Sequence, residues 1–253
     1  MKVVLFCGGL GTRLKAYSET IPKPMVPVGP RPILWHLMRY YAHYGHTEFI
    51  LCLGYGGGVI QQFVRDELRA TPAGDVPPQD GGPPWRVTCV ETGLTTNIGQ
   101  RLKAAAVYLE DDSIFMANYS DGLADIDLGA YLRFFTQQNR LAAFASVRPY
   151  HSFHVVELDA EGGVSALRRA ADTPLRINGG FFIFRRAVLA HVEEGEDLVE
   201  EPFQRLVAMR QLAAYRHDGF WQCMDTFKDK QTFDDMTARG VTPWMVWRAG
   251  AAC

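Results

Sequence analysis

Charge of one sign is what this sequence most lacks. Its 26 basic and 28 acidic residues leave a formal net charge of −2, which excludes the broad basic face that nucleic acid or an anionic membrane requires. Long apolar runs are missing too. The opening MKVVLFCGG passes to glycine after a short apolar stretch, so neither a signal peptide nor a membrane span is expected. The five cysteines, at positions 7, 52, 89, 223 and 253, form no Cys-x-x-Cys pair. Cys7, Cys52 and Cys89 sit in apolar runs, which points to reduced thiols and a cytoplasmic protein. No internal repeat, block of like charge or sharp shift in composition divides the chain, so a single domain over residues 1–253 is expected.

What is present is a rhythm of short apolar runs and amphipathic stretches, in a chain that is 47% hydrophobic. KVVLF at 2–6, EFILCL at 48–53, WRVTCV at 85–90 and SIFMA at 113–117 read as buried strands, each too short for a core helix. Between them, residues 33–44 and 59–68, and more weakly 101–109, space apolar side chains three to four apart, as helices do. The alternation continues through 128–135 (helix) and AAFASV at 142–147, then gives way to strands at 154–158, 179–184 and 212–217 and a closing helix over 228–239. The expected class is α/β, with a mixed, mainly parallel central sheet flanked by helices. Residues 71–84 hold five prolines and three glycines, a composition that predicts a surface insertion without regular structure.

The first strand runs directly into Cys7-Gly8-Gly9-Leu10-Gly11-Thr12-Arg13-Leu14. A glycine-rich turn after the first strand of an α/β protein is where phosphates bind: without Cβ atoms, backbone N–H groups can converge on an anion. Thr12 adds a hydroxyl and Arg13 a two-pronged cation. The turn is not a Walker A loop, which needs Gly-Lys-Ser or Gly-Lys-Thr. Nor is it a dinucleotide fingerprint, since Leu14 falls where the third glycine belongs and the strand ending at Leu53 lacks a ribose-binding acid. Downstream, prolines on both sides of Lys23 stiffen the backbone and favour a lysine held toward phosphate. Asp121 follows the 113–117 strand and should emerge at its carboxyl end, where hard oxygen donors suit Mg²⁺. His36, His43 and His46 interleave with apolar residues and read as packing around one helix, as do Tyr40, Tyr41 and Tyr44.

GGLGTRL, PKPMVPVG, ETGLTTNIGQRLKAA at 91–105, NYSDGLADID at 118–127, RINGGFFIF at 176–184 and GFWQCMDTFKDK at 219–230 together resemble the sugar-1-phosphate nucleotidyltransferases, above all the glucose-1-phosphate cytidylyltransferase branch. The resemblance spans nearly the whole chain. It implies a Rossmann-like nucleotidyltransferase fold, with a nucleotide-binding part over about 1–150 and a sugar-binding part over about 151–253. It also implies a Mg²⁺ ion held by Asp121 and Asp225, a nucleoside triphosphate and a sugar 1-phosphate as substrates, and a homo-oligomer with contacts near residues 35–44. Nucleotide contacts are expected from Gly8, Gly9, Gly11, Thr12, Arg13, Thr96 and Gln100, and catalysis from Arg13 and Lys23. Sugar contacts are expected from Asn178, Gly179, Trp221 and Arg169. The implied reaction is attack by the sugar phosphate on the α-phosphorus, with CTP and glucose 1-phosphate favoured. Another nucleotide with an unusual sugar or cyclitol phosphate, or a silent sugar-nucleotide-binding homologue, are the alternatives.

Three positions depart from the family pattern. Ala170 stands where members carry the lysine of a Glu-Lys-Pro segment, with Arg168 and Arg169 beside it as possible replacements. Gln100 replaces a glycine, and Ser120 replaces another next to Asp121, where it could crowd or hydrogen-bond the nucleotide. Asp225 is expected to cap the helix that follows it, and Asp125 and Asp127 to cap theirs.

Overall fold

A computed structural model describes residues 1–9, 21–66, 75–76, 84–150 and 153–248. The strands are β1 (Val3–Phe6), β2 (Pro27–Val28), β3 (Arg31–Pro32), β4 (Glu48–Leu53), β5 (Asp75–Val76), β6 (Trp85–Glu91), β7 (Ile114–Tyr119), β8 (Gly122–Ala124), β9 (Ala142–Val147), β10 (His154–Leu158), β11 (Val164–Arg169), β12 (Ile177–Asn178), β13 (Phe182–Arg185), β14 (Leu212–Arg216) and β15 (Trp221–Cys223). The α-helices are α1 (Ile33–His43), α2 (Gly57–Asp66), α3 (Ile98–Ala105), α4 (Leu128–Gln138), α5 (Glu201–Ala208) and α6 (Phe227–Ala238). The expected elements are present with shifted ends. The weak helix over 101–109 divides into α3 and a 3₁₀ turn, Ala106–Leu109. The two residues of β5 lie inside the segment expected to hold no regular structure, paired with the start of β6.

The main sheet runs in the order β12-β9-β13-β7-β1-β4-β6-β5, with β14 on the other edge of β9. Strands β7, β1, β4 and β6 are parallel, while β13 is antiparallel to both β7 and β9. Every residue of β1 is buried, as an interior parallel strand covered on both faces demands. Its side chains alternate between two cores. Val3 and Leu5 join Leu37, Met38 and Tyr41 of α1 and Tyr131 and Phe135 of α4. Val4 and Phe6 join Leu102 of α3 and Phe203 and Leu206 of α5 on the opposite face. Tyr40 and Tyr41 are thus committed inside the chain, the latter 1% exposed, and do not serve as the subunit contact expected near residues 35–44. His36 and His46 are buried as well.

Helix ends are set by local chemistry. Asn97 caps α3 and Asp127 caps α4, each accepting an N–H from three residues on. Asp125 does not cap; its carboxylate lies 3.0 Å from His217 Nε2. Asp225 does not cap α6 either. Thr226 does so in a capping box with Asp229, which leaves the Asp225 carboxylate for other partners.

Candidate active site

The strand order reverses at β1, which pairs with β4 on one side and β7 on the other. A crevice opens there beyond the carboxyl ends of the strands, the place where open α/β sheets bind ligands. It is a cleft of about 260 Å³, lined by residues that include Gly9, Lys23, Tyr119, Asp121 and Asp225. Asp121 leaves the end of β7, and Asp225 precedes α6. Lys23 opens a 3₁₀ turn, Lys23–Met25, whose extended flanks follow from the prolines on either side. Its ammonium donates to Asp121 Oδ2 at 2.5 Å and to Asp225 Oδ1 at 2.6 Å. Burial disfavours the charged amine, but the two carboxylates outweigh it and hold the Lys23 pKa above its ordinary value, so the side chain stays a cation. Residues far apart in sequence thereby place one positive and two negative groups within a hydrogen bond of each other.

A second cation shapes the same edge and was passed over in the sequence. Arg101, on α3, is 2% exposed. Its guanidinium donates to the carbonyls of Leu53 and Gly8, each at 3.0 Å, and to Thr92 Oγ1. It ties together the ends of β1, β4 and β6. A Cβ on Gly8 would overlap this guanidinium, and one on Gly54 would stand 2.7 Å from the carbonyl oxygens of Gly8 and Gly93. Glycine is required at both positions for the loops to pass this closely. The signal was a charged residue three positions after Ile98 on the apolar face of a short helix.

Gly8 is buried and Gly9 exposed at the cleft, while Gly11, Thr12 and Arg13 lie outside the described residues. Ser120 is turned away from any ligand, its hydroxyl donating to the Phe6 carbonyl at 2.7 Å. The Thr96 hydroxyl donates to the Thr92 carbonyl, and the Gln100 side-chain amide donates to the carbonyls of Glu193 and Glu196. Both residues brace loops.

On the other side of β7, the chain between β12 and β13 bulges. Gly180 and Phe181 both have positive φ, 74° and 48°. The buried Phe181 holds this strained conformation because its N–H donates to Asn118 Oδ1 at 2.9 Å and its ring packs against Tyr40. Asn178 accepts the Gly180 N–H, and Trp221 Nε1 donates to the Gly179 carbonyl at 2.8 Å. Asn178, Gly179 and Trp221 are therefore brought together. Phe220 and Gln222 are not: the first packs on Trp244 and the second is buried. Arg169 stands apart on the hairpin β10–β11, next to the buried Ala170.

A nucleotide-sized crevice at the sheet's switch point, with a lysine and two aspartates converging in it, defines a phosphoryl-handling α/β enzyme. Comparisons with known proteins narrow this. Residues 2–232 match the family model "Nucleotidyl transferase". The glucose-1-phosphate cytidylyltransferase of Salmonella typhi is 34% identical over 98% of this chain and 100% of its own length. The fold matches a Bacillus anthracis protein crystallised with sucrose, at TM-score 0.69 and 16% identity, covering 93% of this chain and 94% of that one. It also matches HddC from Yersinia pseudotuberculosis, at TM-score 0.65 and 20% identity, covering 93% and 99%. The chain belongs to the nucleotidyl transferase family.

Proposed function

We propose that the protein transfers the cytidylyl group of CTP to glucose 1-phosphate, releasing pyrophosphate and leaving CDP-glucose. The observation that carries this is the convergence of Lys23, Asp121 and Asp225 in the cleft, and the full-length similarity to the Salmonella typhi enzyme supports the choice of substrates. A sugar-phosphate oxygen attacks the α-phosphorus, and the bond to the pyrophosphate leaving group breaks. The nucleophile is already an anion at neutral pH, so no general base is needed; alignment and charge neutralisation supply the catalysis. Lys23 stays protonated and serves as the phosphate-facing cation, together with Arg13.

The donor set fits Mg²⁺. Two hard carboxylates converge on a single cationic atom, the Lys23 nitrogen, and Mg²⁺ is commonly bound by one or two carboxylates with substrate phosphates. Asp121 and Asp225 would hold the ion, which neutralises triphosphate oxygens when bound. Gly8 and Gly9, with Gly11 and Thr12, receive the nucleotide, and Asn178, Gly179 and Trp221 receive the sugar. For the acceptor phosphate, Arg168 is drawn to Glu157 at 3.6 Å, which makes Arg169 the better replacement for the family lysine. The continuous sheet, built from strands on both sides of residue 150, supports one folding unit.

The hairpin β10–β11 supports a homo-oligomer. Val156 pairs with Leu167 and Leu158 with Val164 on one face, and these four side chains are 49–63% exposed, an apolar strip suited to a second copy of the chain. Buried thiols at Cys7 and Cys52 support a cytoplasmic location, and no helix among the described residues is long and apolar enough to cross a membrane.

The test is pyrophosphate release with Mg²⁺ across five nucleoside triphosphates and several sugar 1-phosphates. Release confined to CTP with glucose 1-phosphate supports the proposal. Release with another pair keeps the chemistry and changes the substrates, whereas no release with any pair would leave a silent homologue.

A further inference from the structure

The cleft is not the largest built cavity on the molecule. Another, of about 490 Å³, lies between the β2–β3 turn, the start of α1, the end of α6 and the closing 3₁₀ turn, Val246–Arg248. Its lining includes two guanidiniums, Arg31 and Arg248, two indoles, Trp35 and Trp247, and the imidazole of His36. No carboxylate is among the described residues that line it. Two like charges facing one cavity without an acid in its wall favour an anion there. The Trp35 and Trp247 rings meet edge to face at 6.0 Å, and the Arg31 guanidinium lies 5.6 Å from the Trp35 ring centre. Cation and flat apolar surface are thus presented side by side.

His36 supplies the independent observation. It is 1% exposed, and its Nε2 donates to the Val28 carbonyl at 2.9 Å. Since a carbonyl can only accept, the proton sits on Nε2 and the Nδ1 lone pair is left as an acceptor. That Nδ1 is buried without a hydrogen-bond partner, a costly arrangement that a ligand N–H would relieve. Burial, helped by Arg248 and Arg31, pushes the ring down to about 4, so it remains neutral and an acceptor at pH 7.

We propose that this cavity is a second nucleotide site, in which Arg31 and Arg248 take phosphate groups, the indoles face the base and His36 Nδ1 accepts a base N–H. A volume of about 490 Å³ is in the range of small-molecule sites. The site is an effector site because its walls are continuous with the cleft. Arg31 follows the segment anchored by Val26 N–H to the Lys23 carbonyl and by Ile33 N–H to the Val26 carbonyl. Thr237 ends the helix that begins just after Asp225, about 18 Å away along α6. Occupancy fixes the β2–β3 turn against the end of α6, and with it the spacing of Lys23 and Asp225.

Equilibrium binding of CTP, UTP, GTP and ATP, each with Mg²⁺ and without sugar phosphate, tests this. At least one nucleotide should bind the wild type at two equivalents per chain. Arg31→Ala/Arg248→Ala should lose one of them by about 30-fold or more in affinity, and Lys23→Ala should lose the other. The double variant should release pyrophosphate at the wild-type rate when the second nucleotide is absent. Adding that nucleotide should shift the wild-type KM at least threefold and leave the double variant unmoved; an unchanged wild-type KM overturns the effector role. A single equivalent lost only in Lys23→Ala, or a second equivalent indifferent to the arginines, overturns the site and leaves the cleft's function standing. Binding that depends on the arginines alone, with no binding at the cleft, would instead remove the proposed transferase reading.

Discussion

Two charge clusters in this molecule have opposite composition. In the cleft one cation, Lys23, stands between two carboxylates. On the surface one carboxylate, Asp218, stands among three guanidiniums, those of Arg148, Arg176 and Arg216. The cleft cluster draws on three distant points of the chain and is largely shielded, its lysine side chain 14% exposed. The surface cluster joins the ends of the neighbouring strands β9, β12 and β14, and Arg216 is 68% exposed. The surface ion pairs are screened by water and add little. In the cleft, removing one partner strands a half-buried charge. An excess of carboxylate in a cleft is a cation site in waiting, whereas the exposed arginines mainly brace strand ends: Arg176 also donates to the carbonyls of Ser146 and His217.

Substitutions should separate the two clusters sharply. Asp121→Asn and Asp225→Asn should each lower the rate of pyrophosphate release by about 100- to 1000-fold while the circular dichroism spectrum stays unchanged; a residual rate within tenfold of wild type would remove these residues from the reaction. Arg101→Met should destabilise the fold by about 2–4 kcal/mol in urea titration, because three acceptors at the strand ends lose their donor, and it should raise the nucleotide KM. An intact unfolding midpoint would show that water replaces the guanidinium.

A smaller effect comes from the buried histidines. Burial lowers the pKa of both His36 and His46 to about 4. The unfolded chain therefore binds more protons between about pH 6.5 and 4, and stability falls as pH drops through that window, by up to about 3 kcal/mol per histidine. His36→Asn with His46→Asn should flatten this slope, and an unchanged slope would assign it to other groups. Smallest of all, Asp218→Asn should leave both the unfolding midpoint and the activity near wild type, and a marked loss of either would show the surface cluster to be more than a brace.

Much of the fold was legible because β1, β4 and β7 are short runs buried on both faces, and such runs leave little choice but strand. The sequence pointed to Asp121 through its place after β7, and to Lys23 through its two prolines. What it hid was pairing at a distance. Nothing local to Lys23 announces contact with residues 98 and 202 positions away. Asp225 looked equally like a helix cap, and only the Thr226–Asp229 box shows that role already filled. Arg101 was obscured because a charged residue on a short helix is usually solvated, and its burial depends on carbonyls from three strand ends. Gln100 and Thr96 looked like ligand contacts since side-chain hydrogen bonds to distant loops leave no mark in sequence.

The Lys23 bridge has a consequence for handling the protein. A cleft whose carboxylates carry their own internal counter-ion does not depend on a metal to relieve their mutual repulsion. Chelation should leave the empty enzyme folded and silent, ready to be restarted by adding the ion back, so divalent-metal supply acts on its output and leaves its survival untouched.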